Sequence, residues 1–188
     1  MEIIFREHIL SHLVKPCIET YLNGKHEFVG QLYGSKDKNK FILEDIFIDF
    51  TAITTKENEV FLLPERIYKK IFYNLEGLTI GHHIGDVHPH IILPEEVDSF
   101  ENKKKFLSEI KDRSEIEGED SKSMEKDNSH IYLIIAVSKK RYQIKWGRAT
   151  DDKSLIGSTN DLTFYISAWY YNTRRKMFET AKINSRMP

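Results

Sequence analysis

The sequence predicts a single mixed α/β domain, in which a mixed or antiparallel sheet is flanked by helices. Three observations lead there. Ile9, Leu10, Leu13, Val14, Cys17, Ile18 and Tyr21 recur at helical spacing near the start. The runs EFVGQLYGS, FILEDIFIDF and HIYLIIAVS alternate, or are uniformly apolar, as strands do. The order helix, strands, helix, buried strand, helix, strands lacks the regular βαβ repeat of a doubly wound sheet.

Taken in order, the first helix covers about residues 6–22, kinked or broken near Pro16, and Asn23-Gly24 stops it. EFVGQLYGS and FILEDIFIDF follow as two strands joined by the polar turn KDKNK, and EVFLLP is a third strand. In ERIYKKIFYNL, the spacing of Ile67, Ile71, Phe72 and Leu75 suits a short helix. LTIGHHIGDVH reads as a strand running into a loop, after which Val97, Phe100, Phe106, Leu107 and Ile110 place a helix over 95–110. The charged stretch 112–129 reads as a mobile, solvated insertion. HIYLIIAVS is a buried strand and RYQIKWGRA a partly exposed one. DLTFYISAWYY suits either an aromatic strand or the start of a terminal helix.

The length of 188 residues fits one domain, 1–188, large enough for a real core. Lys+Arg 28 against Asp+Glu 29 leaves a net charge of -1, which removes any whole-chain argument for nucleic acid or an acidic membrane surface. No apolar run is long enough to span a bilayer, and the start lacks the pattern of a signal peptide. A lone cysteine, Cys17, rules out an intramolecular disulfide and a cysteine zinc site, so a reducing cytoplasm is the expected compartment. Cys17 itself lies on the apolar helix face and reads as core filler.

The stretch GDVHPHIILPEEVD carries the candidate chemistry. His88 and His90 reach one point if the chain bends at Pro89, and neutral imidazole is a common zinc ligand. Catalytic zinc takes three protein ligands and leaves a place for water, and Asp98 is the nearest carboxylate that could fold back as the third. Asp98 also suits a helix start, as do Glu95 and Glu96. Of the neighbouring His82 and His83, one should face in and one out. Asp86 could support a ligand imidazole or lie on the surface.

Upstream, EFVGQLYG fits E-x-x-G-x-L-x-G, and GDVHPH fits G-x-x-H-x-H, with Gly30, Gly34 and Gly85 in place. Together, over about residues 1–140, these resemble the JAB/MPN (JAMM) family of zinc metallopeptidases, in its prokaryotic JAB form. The resemblance implies an MPN/JAB-like, cytidine-deaminase-like domain. It further implies Zn2+ on His88, His90 and Asp98, with Glu27 as general base. The implied reaction is hydrolysis of a peptide or isopeptide amide at the tail of a ubiquitin-like or other protein substrate. A catalytically silent MPN-like scaffold that binds a partner protein is the alternative. Two positions depart from the family pattern: Ile91 replaces a proline, and Glu95 stands where the family has a catalytic serine that helps hold the water or oxyanion. An ionised Glu95 would repel an oxyanion; as a further ligand, a protonated donor or a solvent-facing residue it would not.

The C-terminal FYISAWYYNTRRK joins aromatics to the cluster Arg174-Arg175-Lys176. Aromatic stripes more often fill a core, and the balanced charge leaves nucleic acid an unexpected partner.

Overall fold

The computed structural model describes residues 1–23, 28–49, 53–56, 59–61, 81–116 and 130–185. The chain starts with a strand, β1 (Glu2–Phe5), whose alternate residues Ile3 and Phe5 are buried. Helix α1 (Ile9–Asn23) follows and runs through Pro16 as one element, where the sequence predicted a kink or break. Strands β2 (Val29–Asp37) and β3 (Lys40–Asp49) form a hairpin turning at Lys38, which takes a positive φ of 47°. The short pair β4 (Ile53–Lys56) and β5 (Glu59–Phe61) forms a separate two-stranded sheet. The helix expected in ERIYKKIFYNL lies outside the described residues.

Strand β6 (His82–Ile92) is eleven residues long and continues through Pro89. Beyond it the sequence's single helix over 95–110 is two: α2 (Pro94–Ser99) and α3 (Lys103–Asp112). Asn102 divides them, its side chain accepting from the Lys105 backbone N–H as an N-cap. Strand β7 (Ile131–Lys139) is the expected buried strand. In RYQIKWGRA only β8 (Gly147–Arg148) is a strand, pairing with β9 (Leu155–Ser158). The aromatic C-terminal segment is strand, not helix: β10 (Leu162–Asn172) and β11 (Met177–Asn184) form a hairpin.

These strands close on themselves. The order β11-β1-β3-β2-β6-β7-β10 returns to β11 through the β10–β11 hairpin, giving a closed seven-stranded barrel. Its pairing is mixed, since β1 runs parallel to both β3 and β11, and β6 parallel to β7, while the other neighbours in the ring are antiparallel. This overturns the expected MPN/JAB-like, cytidine-deaminase-like arrangement of a sheet flanked by helices. The physical reason is the pairing of the two terminal strands: β1 and β11 zip together and close the seven-stranded ring, from which β9 and β8 continue at β10.

Alternation along the strands sorts side chains into two cores. Inward residues such as Leu32, Leu43, Val87, Leu133, Ile135, Phe164, Ile166 and Ile183 form one cluster, to which α1 adds Ile9, Leu10, Leu13 and Cys17. On the outer wall, α2 and α3 bury Val97, Phe106 and Ile110 against Ile92, Ala136 and Tyr165. The second cluster holds α3 against the outer face of β7 and β10, next to the outward side chains of β6.

Candidate functional site

Because β6 stays extended through Pro89, His88 and His90 lie two residues apart on one face of a strand, not on a bend. Proline is tolerated there because β2 pairs with β6 only as far as Gly30–Val87, so Pro89 lies past that ladder. Val87 faces the barrel core, and both histidines face outward, half-buried.

The two rings converge. Nε2 of His88 lies 3.0 Å from Nε2 of His90, with ring centroids 4.9 Å apart. His90 Nδ1 lies 2.6 Å from the carbonyl oxygen of Arg113. A carbonyl only accepts, so His90 donates from Nδ1, and in the neutral ring its Nε2 carries a lone pair. His88 then donates from its own Nε2 in this arrangement. The Arg113 side chain reaches Glu96 at 3.5 Å, which ties the end of α3 to α2.

At 3.0 Å the contact has the length of a hydrogen bond between the two rings. Two nitrogens bound to one tetrahedral zinc, with Zn–N bonds of about 2.0–2.1 Å, would stand about 3.3 Å apart, wider than the hydrogen-bonded spacing of 3.0 Å. An Nδ1–H donated to a backbone carbonyl is the usual support for a histidine that binds metal through Nε2. Sequence reasoning missed the Arg113 carbonyl, which is 23 residues away in a charged run with no motif to mark it.

The remaining predicted residues do not gather there. Asp98 and Glu95 lie exposed on α2, which starts beyond the end of β6. Their charges act instead on Tyr21, whose hydroxyl pKa is raised chiefly by burial and further by Glu95 and Asp98. Among the described residues no group of three or more His, Cys, Asp or Glu side chains is placed to hold a metal. Glu27 falls outside the described residues. Asp86 meets His83, whose Nε2 is 3.2 Å from Asp86 Oδ1, and His83 also packs on His130 at 4.6 Å between centroids. His82 is exposed and His83 half-buried, the alternation expected of a strand. Cys17 is fully buried and burial pushes its thiol pKa far up, which suits packing and not nucleophilic chemistry.

The glycines of the sequence pattern have a packing role in the barrel. A side chain at Gly34 would overlap the Ile42 carbonyl, and one at Gly85 the Ile131 carbonyl. One at Gly30 would press within 2.7 Å of Ile48 and Val87. Elsewhere, a cleft of about 810 Å³ is bounded by Arg6, His8, Glu44, Arg148 and Asn184. It contains none of the predicted residues; Arg6 pairs with Glu44, and Arg148 donates to the amide oxygen of Asn184. No helix among the described residues is long and apolar enough to cross a membrane.

No protein-family model matches the chain, and no curated protein does. Among solved structures, the chain is similar to the solution structure of protein DSY2949 from Desulfitobacterium hafniense. The TM-score is 0.52 at 10% identity, covering 100% of this chain and 94% of that one. At that identity the likeness concerns the fold alone, and it agrees with a barrel in place of the expected sheet between helices.

Proposed function

We propose that the chain is a zinc-dependent hydrolase of an amide bond at the tail of a ubiquitin-like or other protein substrate, with His88 and His90 holding the metal. The observation that carries this reading is the convergence of two Nε2 atoms at 3.0 Å, with His90 locked by the Arg113 carbonyl. Zinc, when bound, supplies a Lewis acid that polarises a carbonyl and acidifies water.

The chain's own residues do the rest. Arg113 fixes the tautomer of His90, and the Arg113–Glu96 pair restrains the turn that presents that carbonyl. Glu27, two residues ahead of β2 in the sequence, is assigned the proton: it accepts one from the attacking water and delivers it to the leaving amine. Glu95 and Asp98, exposed on α2, are left out of the reacting group.

The test is hydrolysis of a fluorogenic amide built on a ubiquitin-like tail, with zinc added. Glu27→Gln should retain zinc and lose at least about a hundredfold in rate, the usual minimum for a general base. Cleavage that survives this change removes Glu27 from the mechanism.

A second reading, a non-catalytic domain that binds a partner protein, rests on Asp98 and Glu95 lying exposed on α2 and not forming a metal-holding group with the imidazoles among the described residues. It requires that the zinc-loaded protein cleave no tail substrate at all.

A further inference from the structure

The β10–β11 hairpin projects beyond the strands that flank it. The ladder from β10 to β7 ends at Tyr170–Ile131, and that from β11 to β1 begins at Lys182. Between those points, among the described residues, the hairpin pairs only with itself. Its two faces differ in chemistry. On the face continuous with the barrel interior, Glu179 takes hydrogen bonds from Tyr170, Asn172 and Arg175 and braces the arm. On the outer face Trp169, Tyr171 and Phe178 lie half-buried, with Tyr171 and Phe178 in edge-to-face contact at 5.2 Å.

The turn concentrates positive charge. Arg174, Arg175 and Lys176 are consecutive and exposed. Their backbone is shaped by Asn172, whose Oδ1 accepts from the N–H groups of Arg174 and Arg175, and by a positive φ of 53° at Lys176. Among the described residues one carboxylate, Glu179, meets one of the three cations, Arg175. The sequence already showed this cluster beside the aromatics, within a chain of net charge -1.

We propose that the outer face of this hairpin binds single-stranded nucleic acid, with unpaired bases against Trp169, Tyr171 and Phe178 and phosphates on Arg174 and Lys176, while Arg175 stays with Glu179. Aromatic faces beside a run of cations are how single strands are held without sequence preference, and duplex bases are not available to such rings. An acidic peptide would match the charge and leave the aromatic row unused. Trp169 adjoins the support of His90, since its Nε1–H donates to the Ser114 carbonyl at 3.0 Å, next to Arg113. Tyr171 and the turn cations are not among the residues proposed for amide hydrolysis, so substitutions there test this proposal alone.

The test is fluorescence anisotropy of a labelled mixed-sequence single-stranded oligonucleotide with the full chain. Two phosphate contacts should give a log–log salt dependence with a slope of about -1.4. Arg174→Glu with Lys176→Glu, both exposed turn residues, should weaken binding at least about tenfold, and Tyr171→Leu roughly tenfold. Inorganic polyphosphate and polyglutamate should compete at least about tenfold less well than the oligonucleotide, because they have no bases to stack. Absence of binding at about 50 mM salt, indifference to the charge reversals or to Tyr171→Leu, or equal competition by either polyanion would each overturn the proposal.

Discussion

His90 links the candidate site to the helices on the outer wall, and single side chains around it have separable jobs. His88→Ala and His90→Ala each remove one imidazole of the pair, and either should abolish tight zinc binding while leaving the barrel folded, since both side chains face outward. Gly85→Ala is the opposite kind of change. The new methyl group would meet the Ile131 carbonyl and force β6 from β7, so a stability loss of about 1–3 kcal/mol is expected in urea unfolding. Asp151 supplies a pH test. Burial works to raise its carboxyl pKa, but hydrogen bonds from the Ser154 N–H and hydroxyl, the Lys153 N–H and the Tyr165 hydroxyl outweigh it and hold the carboxyl below its ordinary range. A depressed folded value stabilises the protein fully above the unfolded pKa of about 3.9 and is lost as pH falls through the folded one. Asp151→Asn should therefore cost about 1–3 kcal/mol at pH 7, and that difference should shrink below about pH 3.9 in unfolding curves taken from pH 5 to 2.

At the scale of elements, legibility followed the strength of periodicity. Strands β2, β3 and β7 could be read because their alternating or uniformly apolar runs extend over nine or ten residues. β1, only four residues long, precedes a helix with no intervening breaker and was hidden by it. The break between α2 and α3 had a local signal, Asn102, but the apolar spacing of Val97, Phe100 and Phe106 runs across it. Pro89 misled in the other direction: its missing N–H costs no ladder bond on the side of β2, which ends before it, so β6 stays extended beside β7. The pair His88 and His90 was therefore legible as a convergence, though for the wrong geometric reason. Asp98 was not legible, because the length of β6 beyond His90 decides where α2 begins. Helix α3 carries the support for His90 and can be tested directly. Ile110→Ala should cost about 2–5 kcal/mol, since Ile110 is fully buried against the barrel wall.

For the whole molecule, closure was the property least visible in sequence, because it depends on two chain ends meeting. Parallel pairing of β1 with β11 and antiparallel pairing of β11 with β10 complete the ring. A closed barrel gives a gradient of local stability. Amides of β7, hydrogen-bonded to β6 and β10 on its two edges and buried along eight of nine residues, should exchange only by global unfolding. Those of residues 173–176 at the hairpin turn should exchange within seconds in native-state hydrogen exchange. Equal protection at both places would contradict the described topology. The wall of such a barrel is a rigid platform, and the two outward imidazoles of β6 gain their fixed separation from it.

Zinc titration of the metal-free protein by calorimetry tests this most directly. One zinc per chain should bind, with affinity at least about a hundredfold weaker in His90→Ala and in His88→Ala at unchanged folding. A wild-type chain that takes up no zinc, or variants that bind it as tightly as wild type, would contradict the claim that the paired imidazoles are a metal site.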